Sequence, residues 1–96
     1  MITRIVKMTF IPEKVNDFIK VFEESKEYIR SYPGCIQMQL LKDINHHNIY
    51  YTYSHWESEE ALNHYRNSSR FREIWANTKV NFQSKAEATS LLVTEY

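Results

Sequence analysis

Polar and apolar residues alternate from Ile2 to Ile11, with Ile2, Arg4, Val6, Met8 and Phe10 on one parity and Thr3, Ile5, Lys7 and Thr9 on the other. That pattern predicts a strand with one dry face. The period then changes. Pro12 suits a first helical turn and Glu13 complements the helix dipole. Val15, Phe18, Ile19, Phe22 and Ile29 form one stripe at helical spacing, opposite Lys14, Asn16, Asp17, Lys20, Glu23, Glu24 and Lys26. The helix they predict runs to about Tyr32, where Pro33-Gly34 combines a residue that cannot continue the ladder with one that tolerates left-handed backbone. Cys35 to Lys42 alternates again, with Ile36, Met38 and Leu40 against Gln37 and Gln39. Asp43 to Asn48 supplies turn residues, and Ile49 to Trp56 is dense in tyrosine and threonine, so the two strands are expected to pair as an antiparallel hairpin.

The stretch from Trp56 to Trp75 then starts a helix twice. Ser58 before Glu59 and Glu60 is a capping residue followed by carboxylates at the positive helix end, and Ala61, Leu62 and Tyr65 keep helical spacing. Asn67-Ser68-Ser69 interrupts that run, because these residues favour caps and turns over helix interiors. Ser68 or Ser69 can cap a second helix carrying Phe71, Ile74, Trp75 and Thr78. Ala86 to Tyr96 restores alternation as the last strand. The order strand, helix, strand, strand, helix, strand is the split βαβ arrangement of an α+β, ferredoxin-like fold, with an antiparallel sheet carrying its helices on one face. Its other face would hold Ile5, Leu41, Leu91 and Val93, too apolar to leave in water, so a homodimer is expected.

At 96 residues the chain reads as one domain, 1–96, without linker or repeat. Twelve basic and twelve acidic residues leave no net charge, which argues against a nucleic-acid partner. No apolar run approaches the length of a membrane span, the N-terminus lacks a secretory pattern and Cys35 is the only cysteine, so a cytoplasmic protein is expected. Aromatic residues make up 15% of the chain, seven of them tyrosines, a load that calls for a pocket or a partner subunit to cover it.

The opening ITRIVKMTF leading into PEKVNDFIKVF, the YPGC turn and YTYSHWESEEALNHYRNSSRF together resemble the antibiotic biosynthesis monooxygenase superfamily, the dimeric α+β barrel proteins. The resemblance covers nearly the whole chain. It implies a homodimer with sheet facing sheet, and a cavity between sheet and helices where a small aromatic, often a quinol or phenol, is oxidised by dioxygen without metal or flavin. An electron-rich phenolate reacts with oxygen once deprotonated and held away from water, so little machinery is needed. A non-catalytic small-molecule-binding or stress-response protein on the same scaffold is the alternative. The chain departs from its relatives at several points. Many place a histidine, and the haem-degrading members a tryptophan, where this chain has Tyr65; a second histidine position is Arg70 here. The asparagine and histidine that serve haem in the degrading members align with Val6 and Trp75, so haem degradation is disfavoured.

The candidate site residues follow. Tyr65 and His55 are the candidates for catalysis, and Met8, Phe10, Phe71 and Trp75 the candidate substrate walls. Tyr65, Phe71, Trp75 and His55 also have other readings. Tyr65 at helical spacing from Leu62 is half-buried packing as readily as it is a group that orients or deprotonates a phenol, and Phe71 suits the core of an amphipathic helix. His55 shares parity with Tyr51 and Tyr53, so it is either a pocket base or a polar residue at the dimer seam. Trp56 is expected to anchor the strand-to-helix corner, His64 to be solvated, His46 and His47 to lie in a surface turn without a metal ligand set, and Cys35 to be a small buried residue.

Overall fold

The computed structural model describes residues 1–96. In chain order the elements are β1 (Ile2–Thr9), α1 (Val15–Ser31), β2 (Cys35–Lys42), β3 (Ile49–Trp56), α2 (Glu59–Arg66), α3 (Ser69–Lys79) and β4 (Glu87–Leu92). A short 3₁₀ turn, Pro12–Lys14, leads into α1. The strands form one antiparallel sheet in the order β2-β3-β1-β4. This is the ferredoxin-like arrangement, with the two sequence halves interleaved so that β1 and β3 are central.

Helices cover one sheet face only. Phe18, Phe22 and Ile29 of α1 pack with Met8 of β1, Met38 of β2, Trp56 of β3, Leu62 and Tyr65 of α2 and Ile74 of α3 in a single core. Between α2 and α3 the chain breaks at Asn67, and Ser68 serves as the cap on which the second start depends, its Oγ accepting from the Phe71 amide at 3.1 Å. Ser58 caps α2 in the same way through the Ala61 amide. Gly34 has φ of +92°, and a methyl group there would collide with the Cβ of Ala61. Glycine is therefore required twice over, by the left-handed turn and by the approach of α2.

Two strands are shorter than their sequence patterns predict. β1 ends at Thr9, and Phe10 makes only an isolated bridge to Phe82. β4 spans Glu87–Leu92 rather than Ala86 to Tyr96, because β1 is its only neighbour and the register brings Leu92 opposite Ile2, where β1 begins. Alternation in sequence persists beyond the point where there is backbone left to pair with. The face away from the helices carries Thr3, Ile5, Tyr51, Tyr53, His55 and Leu41, and there Leu41, Leu91 and Val93 are 43%, 47% and 45% exposed. No helix is long and apolar enough to cross a membrane.

Candidate functional site

A cavity of about 300 Å³ lies between the covered sheet face and the three helices. Strand periodicity puts Arg4, Val6 and Met8 of β1 on that face, and the register aligns them with Ser54, Thr52 and Tyr50 of β3. Thr52, Ser54 and Trp56 line the cavity beside them. From the helices come Phe22 and Ser25 of α1, Leu62, Tyr65 and Arg66 of α2, and Phe71, Ile74, Trp75 and Thr78 of α3. The volume is at the lower end of small-molecule sites, which run from roughly 300 to 1,000 Å³.

Aromatic rings form its firmest wall. Tyr65 stacks on Trp56 with centroids 5.0 Å apart and meets Phe71 edge-on at 4.9 Å. Phe71 and Trp75 lie nearly parallel at 6.1 Å, one helical turn apart on α3. Trp56 is itself fixed by the bond its Nε1–H donates to Ser54 Oγ at 3.0 Å. Phe71 and Trp75 therefore wall the space instead of filling it.

Most hydroxyls at the cavity are already spent. Ser25 donates to the Val21 carbonyl and Thr78 to the Ile74 carbonyl, each within its own helix, and Ser54 receives Trp56. Tyr65 differs. The residue is 7% exposed, yet its hydroxyl has no bond within the chain, and no fully buried side-chain polar atom lacks a partner, so the hydroxyl keeps some contact with open space. Burial pushes its phenol well above the ordinary range, and the neighbouring Tyr28 and Cys35 add to this. Tyr65 is consequently a protonated hydrogen-bond donor at neutral pH, not a base.

Two positive charges reach the same space. Arg4 is half-buried, and its Nη1–H donates to Ser90 Oγ at 2.8 Å. Burial, with the charge of Arg66, lowers the guanidinium's basicity from its usual value. Neither arginine is within ion-pairing distance of a carboxylate, and no aspartate, glutamate or histidine lines the cavity.

Of the residues singled out from sequence, the structure brings Tyr65, Met8, Phe71 and Trp75 together around one cavity. Phe10 is not among them. It is fully buried beyond the cavity's end, stacked on Phe18 at 4.1 Å and flanked by Tyr50 and Phe82, because the chain leaves the sheet at that point. His55 faces away from the helices, where Thr3 Oγ1 and His55 Nδ1 are 2.9 Å apart and Tyr53 packs edge-on at 4.9 Å. His55 does not line the cavity. His64 is exposed, as expected, and its Nδ1 is 2.6 Å from the Tyr32 hydroxyl. His46 sits in the β2–β3 turn beside Asp43, and nowhere do three histidine, cysteine, aspartate or glutamate side chains converge. Cys35 is partly exposed rather than buried, at the bulge that opens β2.

Arg4, Arg66 and Thr52 were not among the sequence candidates. Two of them carried a signal: Arg4 is a charge on the otherwise apolar parity of β1, and Arg66 is four residues from Leu62, hence on its helical face.

Residues 1–77 match the model of a family described as antibiotic biosynthesis monooxygenase. No curated protein matches the chain. Among solved structures, it is similar to a conserved protein from Methanosarcina mazei, with 23% identity over 95% of this chain and 91% of that one and a TM-score of 0.89. A Caulobacter crescentus protein, described as a candidate antibiotic biosynthesis monooxygenase, has 22% identity over 98% and 90% of the two chains and a TM-score of 0.91. The protein Rv0793 from Mycobacterium tuberculosis has 15% identity over 99% and 96%, with a TM-score of 0.90. At these identities the structural likeness establishes the fold and no more.

Proposed function

We propose, on the premise that this chain belongs to the antibiotic biosynthesis monooxygenase family, that it oxidises a small quinol or polyphenol with dioxygen, using neither metal nor flavin. The observation that carries the reading is the aromatic-walled cavity lined by Tyr65, whose hydroxyl has no partner within the chain. In this scheme the substrate ring lies against Trp56, Phe71 and Trp75, and Tyr65 donates to the oxygen that is not ionised. The other hydroxyl loses its proton to water, because no basic side chain lines the cavity. The resulting phenolate passes one electron to dioxygen and the two radicals combine in a new C–O bond. Loss of water from the peroxide completes the reaction: a quinol and one dioxygen become a hydroxyquinone and one water, with all four electrons coming from the substrate. Exclusion of bulk water by the apolar wall protects the intermediates.

A homodimer belongs to the same reading. Its support is the uncovered sheet face with Ile5, Leu41, Leu91 and Val93, and the mating of two such faces would leave each cavity within its own subunit. The rival reading, a binding protein without catalysis, is favoured by the lack of any histidine or carboxylate at the cavity. The same lack leaves no histidine or cysteine to ligate haem iron, so a haem titration is expected to give no saturable Soret band.

Oxygen consumption over a panel of quinols decides between the two. The expected result is uptake above the buffer rate, lowered by about three- to tenfold by Tyr65→Phe through loss of one hydrogen bond to the substrate hydroxyl, and unaltered by His55→Ala. Uptake no greater than buffer across the panel would leave the binding protein as the better description.

A further inference from the structure

The charges in the cavity wall are unbalanced. The whole chain has equal numbers of acidic and basic residues, yet the cavity receives two guanidiniums and no carboxylate. The acids near other cations are occupied on helix surfaces, as in Glu23 with Lys26 and Glu73 with Arg70. Half-buried Arg4 uses one N–H on Ser90, while exposed Arg66 makes no side-chain hydrogen bond within the chain, so both guanidiniums line the cavity with donors that no protein acceptor has taken. Bringing like charges toward each other at an apolar surface is unfavourable unless an anion joins them.

We propose that Arg4 and Arg66 form an anion subsite in the cavity wall and that the ligand is an aromatic carboxylate, its ring held by Trp56, Tyr65 and Phe71. This rests on the reading of the cavity as a substrate site and narrows that substrate to hydroxylated aromatic acids. A carboxylate is the anion that fits. It is ionised at neutral pH without help, whereas a phenol with a pKa near 10 is not. Its two oxygens match the planar fork of a guanidinium, and its attachment to a ring keeps the anion in line with the aromatic wall. Tyr65, a neutral donor, is left for the ring hydroxyl. The two arginines reach the cavity from different elements, β1 and α2, so the subsite exists only in the folded chain.

Both tryptophans of the chain line the cavity, which makes their fluorescence a direct reporter. The test is titration with 2-naphthoate and with 2-naphthamide, two probes of equal shape that are not quinols and differ in charge. The wild type should bind the acid at least about tenfold more tightly than the amide, the preference weakening with salt. Arg66→Gln and Arg4→Gln should each erase most of that preference while leaving amide affinity unchanged, and Arg66→Lys should restore part of it. Equal affinity for the two probes, or a preference that survives both glutamine variants, would overturn the subsite. So would failure of the acid to bind a wild type that consumes oxygen with neutral quinols, a result that leaves the monooxygenase reading standing. If neither probe binds and no quinol supports oxygen uptake, both readings fail together.

Discussion

Tyr65 combines a ring that belongs to the core with a hydroxyl that does not. Its stacking on Trp56 and contact with Phe71 make it a packing residue, so Tyr65→Ala should cost about 3–5 kcal/mol of stability, whereas Tyr65→Phe removes a group without an internal partner and should cost under about 1 kcal/mol. The separation of those two effects is what allows the phenylalanine variant to report on function. Its titration gives a second check. The unfolded chain releases this proton near pH 10 while the folded chain retains it, so the folded state loses ground as pH rises above that value, by roughly 1.4 kcal/mol per unit. Below pH 10 the two states hold the proton equally and the effect vanishes. In an alkaline absorbance titration, one of the seven tyrosines should ionise only when the protein unfolds, and Tyr65→Phe should flatten the alkaline decline in stability. Ionisation of all seven within the folded state would contradict the burial described here. Gly34 offers a test at the opposite end of α2. Gly34→Ala meets both an unfavourable φ and the side chain of Ala61, and should lower stability by about 2 kcal/mol or more; adding Ala61→Gly should recover the collision but not the backbone strain.

Among the elements, the junction of α2 and α3 has the most influence on the site. Ser68 caps α3 through Phe71 N, donates to the Tyr65 carbonyl at 2.7 Å and accepts from the Tyr28 hydroxyl at 3.3 Å. One hydroxyl thus ties the end of one helix, the start of the next and the flank of α1. Because Phe71 and Trp75 lie in the first two turns after the cap, its geometry sets where the aromatic wall stands. Ser68→Ala should shift the urea midpoint by the equivalent of about 1–2 kcal/mol with an unchanged slope, and should weaken ligand binding in the same variant. Ser69→Ala, on the adjacent residue without that bond, should stay within about 0.5 kcal/mol of wild type.

For the whole molecule, the question is what covers the second sheet face. Leu41, Leu91 and Val93 stand in solvent around half-buried Tyr51 and Tyr53, while α1, α2 and α3 are all committed to the other side. Sedimentation at micromolar concentration should give twice the chain mass of 11.6 kDa. Leu91→Glu, which puts a charge on the β4 side of that face beside Thr3, should return the mass to that of one chain. A wild-type monomer would remove the dimer from the proposal and leave these side chains without a role.

Much of the fold was legible along the chain because its signals are local. Pro33-Gly34, the cap Ser58, the Asn67-Ser68-Ser69 break, the alternation of β1 and β2 and the tyrosine and threonine density of β3 each act over a few residues, so the elements and their order could be read before any contact was known. The ends of β1 and β4 could not, since a strand stops where its neighbour stops, and that is set by register. Parity divided each strand into two faces and put Ile5, Leu41, Leu91 and Val93 on the uncovered one, but it left His55 open between pocket and seam. The register of β3 against β1 sent His55 to the uncovered side, and the end of β1 at Thr9 left Phe10 past the end of the cavity, although it shares the parity of Met8. Tertiary structure also decided the chemistry. Arg4 and Arg66 are sixty-two positions apart, and only the packing of α2 against β3, the neighbour of β1, brings their charges to one cavity, where distance in space, not in sequence, governs how strongly they repel each other and what they attract.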